Sequence, residues 1–485
     1  MELTDLSADA LSKQLRSGEL SAREVMTAFL DRIDVVNPDC NAVVSLRARD
    51  LLLAEALAKD DLLVAARADG RKVGWMHGMP QAIKDLADAE GFVTTRGSPL
   101  FRSSVAPVDS LMVARMKAAG CIVIGKTNTP EFGLGSHTFN EVFGVTRNPY
   151  DLTKSAGGSS GGAAVALATR MLPVADGSDY GGSLRNPAAW NNIFGFRPSE
   201  NRVPAWPATE VWFSRQSTGG PMGRSIVDVA NLLQIQAGHD ARLPLSLESA
   251  EDFRADLDRR ADTVRVGWLG DLEGYLPMEP GIVTLCERGL ARLELDGCTG
   301  ERARIEFELG SVWDAWCVLR SVVVGRDLEP LMGNSQTRAL VKPEAQWEHE
   351  QSVGLSASAL LDASMVRTEF YQHLLSLFDR FDVLAIPTAQ VWPFDAMLRW
   401  PTEINGVAMG TYHRWMEVVI YATFAGLPSI SVPVGFNEQG LPMGMQLIGR
   451  PRGDHDLLRL AYRYEQTIGD LLAVRPSSRA STRAR

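Results

Sequence analysis

Apolar and polar positions alternate along this chain with two periods, one helical and one strand-like. The first 60 residues read as helices, in a helical segment that runs to about residue 65. Ser21 and Glu24 form an S-x-x-E capping box, and Val25, Phe29 and Ile33 follow at helical spacing. Residues 105–120 repeat the helical period through Leu111, Val113 and Met116 until Gly120 stops it. The apolar run Cys121, Ile122, Val123 and Ile124 then predicts a short buried strand. Residues 163–171 are alanine-rich and helical, and an extended stretch begins at Pro173. Residues 381–387 and 429–434 read as further strands, the first closed by Pro387. Helices alternating with buried strands predict a layered α/β fold. Residues 240–400 are less regular and richer in charge, which predicts surface helices and substrate-facing loops. Residues 475–485 are dominated by Ser, Ala and Arg and predict a disordered tail. The expectation is a single domain over residues 1–470.

Composition removes several function classes. The 485 residues are 45% apolar and 22% charged, which is ordinary for a globular protein. The net charge is −10, and a nucleic-acid surface needs clustered Lys and Arg, so no nucleic-acid partner is expected. Cys40, Cys121, Cys286, Cys298 and Cys317 are far apart and never in C-x-x-C spacing, which signals neither a disulfide frame nor a zinc site. A reduced, cytoplasmic location fits that pattern. The segment Met1 to Asp5 lacks the basic and apolar regions of a signal peptide. No apolar run reaches the roughly 18 residues needed to span a membrane.

Two motifs fail on context. Residues 120–127 spell G-x-x-x-x-G-K-T, but the four interior residues are themselves the predicted strand and Pro130 follows, where a phosphate loop needs a helix. Residues 157–161 spell G-x-S-x-G, but residues 148–154 upstream read as loop, and neither His413 nor His455 sits in a helpful pattern.

The informative segment is 155–187, where two glycine–serine loops flank one helix. The first holds Gly157, Gly158, Ser159, Ser160, Gly161 and Gly162; the second holds Ser178, Asp179, Tyr180, Gly181, Gly182, Ser183 and Arg185. Glycines let backbone approach a ligand closely, and successive N–H groups can then hold an oxyanion. The segment is too short and too punctuated for a linker. A serine nucleophile needs a base, and no His lies near either loop in sequence. A neutral lysine can serve. The candidate is Lys84, after Gly78 and Pro80, and the residues alone leave it open between an inward-pointing base and a surface ion pair with Asp85.

The ordered blocks around these residues resemble the amidase-signature family. They include the Lys84 segment, residues 125–132, both serine loops, Phe196 to Ser199, Gly220 to Asp228, and residues 426–433 and 440–449. The resemblance covers roughly residues 5–465. It implies a mixed central β-sheet flanked by helices on both faces. It implies a nucleophile at Ser183, a relay serine at Ser159, typically held by a cis peptide, and a base at Lys84. It implies an oxyanion hole from the N–H groups of Tyr180, Gly181, Gly182 and Ser183. Asp179 and Arg185 are expected to brace the loop, and Ser160 to orient Lys84. Departures from the family pattern are Ser178, Tyr180 and the pair Asn191–Asn192 after Trp190, which leave the subfamily open.

The expected activity is hydrolysis of an amide-type C–N bond through an acyl-enzyme. Aryl amides, aliphatic amides and carbamates (urethanes) are candidate substrates. Leu134, Phe143, Trp206, Trp212, Phe213 and Trp392 are the candidate pocket, which implies an apolar or aromatic substrate group. The expected state is a monomer or homodimer acting alone on a small molecule, with no cofactor, no metal and no membrane. The alternative is the amidase subunit of a glutamine-dependent amidotransferase; the acidic balance and the lack of a visible docking segment weigh against it.

Overall fold

The computed structural model describes residues 2–476 apart from 214–215, 249–251 and 260–262, so most of the expected disordered tail lies outside the described residues. A mixed eight-stranded sheet forms the centre. Its strand order is Thr299–Arg302, Arg265–Trp268, Val383–Pro387, Pro442–Gly449, Ser429–Phe436, Phe194–Arg197, Thr218–Gly223 and Ala175–Asp179. The first three strands run parallel and the remaining neighbours pair antiparallel. The central pair, Ser429–Phe436 and Pro442–Gly449, is buried almost throughout, as strands with helices packed against them must be. Helices Arg185–Ala189 and Ile282–Leu295 pack against this pair. Among the described residues, no helix is long and apolar enough to cross a membrane.

A smaller sheet orders Val43–Val44, Ile122–Thr127 and Pro80–Lys84, and its strand Pro80–Lys84 contacts the edge strand Ala175–Asp179 of the large sheet. Helix Gly161–Ala168, buried along its whole length, touches strands of both sheets. Lysine and serines therefore reach one place from different layers. Helix Ala22–Cys40 starts at the Ser21–Glu24 capping box expected from the sequence.

The structure departs from the pattern in three places. Residues 240–400 contain three strands of the large sheet, the expected one at Val383–Pro387 and two unforeseen ones at Arg265–Trp268 and Thr299–Arg302, beside two 24-residue helices, Leu309–Met332 and Ala357–Arg380. Thr218–Gly223 is a buried strand despite three glycines and a proline, because neighbours on both sides supply its pairing. Asp151–Ser155 is a strand, not a loop, paired antiparallel with Arg147–Asn148. That two-stranded ribbon stands apart from the large sheet, so the strand before Ser159 does not build a hydrolase nucleophile elbow.

Helix Gly161–Ala168 has no room to add atoms at its start. A Cβ on Gly162 would lie 2.3 Å from the Asn128 nitrogen and 2.6 Å from the Ala42 carbonyl oxygen. Gly162→Ala is therefore expected to cost about 1–3 kcal/mol of stability, read as a lower urea midpoint, and to displace Ser159 with the helix.

Candidate active site

Strand Pro80–Lys84 ends by pushing Lys84 into the space between the sheets, where only 1% of the residue is exposed. Its backbone N–H donates to Asp176 Oδ2 at 3.1 Å, which fixes the strand end to the large sheet. Its Nζ lies 2.8 Å from both Ser159 Oγ and Ser160 Oγ, and 3.0 Å from Ser178 Oγ. A fourth contact runs to the Ser178 carbonyl at 3.4 Å. Asp85, the rival surface partner, points away and accepts from the Thr95 N–H at 3.1 Å and from the Thr95 hydroxyl. Burial pushes the Lys84 amine down to about 7, against the upward pull of Asp176 and Asp179. Both the neutral and the charged amine are thus accessible near neutral pH.

The first serine loop leads directly into helix Gly161–Ala168, and the Gly158–Ser159 peptide bond is cis. Gly133 approaches from the opposite side; a Cβ there would sit 3.5 Å from Ser159 Oγ. The second loop begins where strand Ala175–Asp179 ends and runs into helix Arg185–Ala189. The loops meet through the Ser160 N–H, which donates to the Ser183 carbonyl at 3.3 Å. Among the described residues, the Ser183 hydroxyl makes no hydrogen bond, to Ser159 or to any other side chain.

Asp179 organises the second loop. It receives Arg185 Nε at 3.0 Å and Nη2 at 3.0 Å, and Arg197 Nη1 at 3.3 Å. It also accepts the Gly182 N–H at 2.9 Å and the Leu184 N–H at 3.2 Å. Burial pushes its carboxyl up, but the two guanidiniums outweigh burial and hold it below the usual carboxylate range. This corrects one expectation: the Gly182 N–H is committed to Asp179 and does not face an oxyanion. Among the described residues, the N–H groups of Tyr180, Gly181 and Ser183 donate to no protein acceptor. Gly182 adopts φ +88°, and a Cβ there would lie 2.4 Å from Asn186 Oδ1, so the turn requires glycine.

The six expected pocket residues each have their own surroundings. Leu134 follows Gly133, but its side chain is buried with Leu328, Val341 and Tyr412. Trp206 carries the Arg242 guanidinium 5.1 Å from its ring centre. The Trp392 indole donates to the Pro280 carbonyl at 3.2 Å. Trp212 and Phe213 stand 63% and 48% exposed. Phe143 is half-buried, and its carbonyl accepts from Asn41 Nδ2 at 2.7 Å. Beside the loop lie Trp316, Met416 and Val419. A Cβ on Gly181 would lie 3.2 Å from Met416 Cε and 3.4 Å from Trp316 Cζ2, and one on Gly182 would lie 2.5 Å from Val419 Cγ2. The spacing of Trp313 and Trp316, three apart on a helix, is the sequence signal of an aromatic face there.

The family model described as Amidase matches residues 24–458. The chain belongs to the amidase-signature family. It is an amidohydrolase acting on carbon–nitrogen amide bonds. This amidase is 34% identical to a glutamyl-tRNA(Gln) amidotransferase subunit from Moorella thermoacetica, covering 96% of this chain and 97% of that one. Its fold superposes on a bacterial aryl acylamidase of the amidase signature family with a TM-score of 0.89 and 30% identity, covering 97% and 99% of the two chains. For a glutamyl-tRNA(Gln) amidotransferase subunit from Thermotoga maritima the TM-score is 0.78, with 27% identity and coverage of 96% and 95%. The curated relatives correct the expectation of a monomer or homodimer acting alone on a small amide or carbamate, because they are named as subunits of a larger enzyme. The acidic balance and the missing docking segment are poor guides, since a protein interface is about as apolar as the rest of a surface and needs no separate segment.

Removing the brace isolates its importance. Asp179→Asn leaves Arg185 and Arg197 buried beside a neutral amide, and the expected loss is about 3–5 kcal/mol in chemical unfolding.

Proposed function

We propose that this amidase cleaves its amide through an acyl-enzyme on Ser183, with Ser159 as relay and Lys84 as base. The observation that carries the reading is the Lys84 amine itself. It is buried and hydrogen-bonded to three serine hydroxyls and a carbonyl, with no carboxylate partner among the described residues. A lysine kept only for stability has no reason to lie in such a place, since burying an amine without a directly bonded carboxylate is costly. Neutral Lys84 accepts the Ser159 proton while Ser159 accepts that of Ser183, once the Ser183 side chain turns toward Ser159. The Ser183 oxygen then attacks the substrate carbonyl. The N–H groups of Tyr180, Gly181 and Ser183 take the oxyanion, each good donor contributing about 3–4 kcal/mol. As the C–N bond breaks, Lys84 returns its proton through Ser159 to the leaving nitrogen. Water, deprotonated by the same relay, then attacks the acyl carbon and frees Ser183. Ser160 and Ser178 hold the amine in place throughout.

For the substrate, the support favours a glutamine-type amide, hydrolysed within an assembly whose other subunits use the ammonia. That support is the near full-length likeness to glutamyl-tRNA(Gln) amidotransferase subunits. The competing substrate in any assay is an aryl amide, which would pack on Trp316 and Met416 and which the aryl acylamidase likeness suggests. Ammonia release from glutamine should rise when the chain is co-expressed with the remaining subunits of such an amidotransferase. Turnover of p-nitroacetanilide by the chain alone, with glutamine untouched in both preparations, would overturn the assembly reading.

The chemistry is tested separately. Ser183→Ala should abolish labelling by a fluorophosphonate, and near-normal turnover in that variant would sink the nucleophile assignment. The kcat/KM profile should rise through pH 7, because the amine titrates at about 7 and only its neutral form is a base. Lys84→Ala should remove that limb together with most of the activity.

A further inference from the structure

A buried arginine stands behind the Ser183 loop. Helix Leu309–Met332 places Trp313, Trp316 and Arg320 on one face. Arg320 is 5% exposed. Its Nε donates to Glu348 Oε1 at 2.7 Å and its Nη2 donates to the Tyr412 hydroxyl at 2.9 Å. The Tyr412 hydroxyl in turn donates to the same Glu348 oxygen. Helix Leu309–Met332, helix Pro343–Ser352 and the segment at Tyr412 thus fix the guanidinium from three sides.

That guanidinium lies over two rings beside the Ser183 loop. Arg320 Cζ lies 5.0 Å from the centre of the Tyr180 ring and 5.3 Å from that of Trp316. Trp316 itself lies against Tyr180, with ring centres 6.5 Å apart, and borders Gly181. One arginine and one tryptophan therefore grip two successive loop residues whose N–H groups are unspent. Stability alone does not call for this arrangement, because replacing a buried ion pair with well-packed apolar side chains is often neutral or stabilising. A lysine in its place would lack the planar fork that lets one group hold Glu348 and Tyr412 while stacking on a ring.

We propose that Arg320 is a positioning residue: anchored by Glu348 and Tyr412, it sets the Tyr180 side chain and so aims the N–H groups of Tyr180 and Gly181 at the oxyanion. This rests on the reading of Ser183 as nucleophile, and it holds for any amide substrate. Glu348 and Tyr412 act one step further back, and the three form a single unit.

The probe is a fluorophosphonate, whose reaction with Ser183 develops charge on an oxygen in the same place. Labelling is followed by intact mass, giving the maximal rate kinact and the half-saturating concentration KI. Arg320→Lys keeps the charge and loses the fork. The double variant Arg320→Leu, Glu348→Leu removes both charges, so neither is left alone in the interior. Both are expected to lower kinact about tenfold, the scale of a small misplacement of reacting groups, with KI unchanged. Tyr180→Leu should lower kinact to a similar extent, and adding Arg320→Lys to it should lower it no further, since the two act through one contact. A residue that only stabilises the fold would lower the melting temperature and the labelled fraction and leave kinact of the labelled molecules alone. Unchanged kinact in both Arg320 variants, or effects that simply add to that of Tyr180→Leu, overturns the proposal. Labelling of Ser183→Ala at the wild-type rate would instead overturn the nucleophile reading, which separates the two failures.

Discussion

One buried carboxylate holds the site together. Asp179 closes an edge strand, receives two arginines and accepts two backbone N–H groups from the turn that follows. Each partner has a different origin: Arg185 from the helix after the loop, Arg197 from the next strand in the chain, Gly182 and Leu184 from the loop itself. An isolated carboxylate this deep would take up a proton, and two isolated guanidiniums would be costly to bury. Together they force a single path on residues 180–184. That path spends the Gly182 N–H on structure and leaves its neighbours free for chemistry.

The amine depends on the same geometry from the other side. Lys84 is dry because strand Pro80–Lys84 meets the edge strand that carries Asp176, Ser178 and Asp179. Alternation along that edge strand sends Asp176 and Ser178 toward the lysine, so the strand supplies a backbone anchor and a hydroxyl in two steps. The helix between the loops has no side chain larger than Leu, so it fits between two sheets and delivers Ser159 and Ser160 to the amine.

How much of this the sequence discloses depends on how local each feature is. The serine loops are legible because their glycines, serines and Asp179 are contiguous, and a turn's chemistry is written in neighbouring residues. The strands at 122–127 and 429–436 are legible because apolar runs bounded by Gly or Pro say so. Lys84 is not decidable from its own neighbourhood, since its burial is imposed by a strand that follows 91 or more positions later (175 − 84 = 91). The neighbours of the second loop are hidden for the same reason: Trp316 and the segment at Met416 reach Gly181 only through tertiary packing. The Gly182 N–H reads correctly as part of a turn and wrongly as a ligand donor, because sequence shows the donors of a loop but not which one a nearby carboxylate consumes.

The Arg185 side chain also reaches forward along the chain. It donates to Gln446 Oε1 at 2.6 Å and to the Val419 carbonyl at 2.9 Å, groups that lie 261 and 234 positions later. A chain leaving the ribosome exposes the Ser183 loop long before either group exists, because synthesis delivers the N-terminal side first. Until the strand carrying Gln446 has been made, one end of the Asp179 clamp has nowhere to dock. The Ser183 loop is thus timed by translation: it is made first and waits for its clamp until the chain has grown at least 261 positions beyond Arg185.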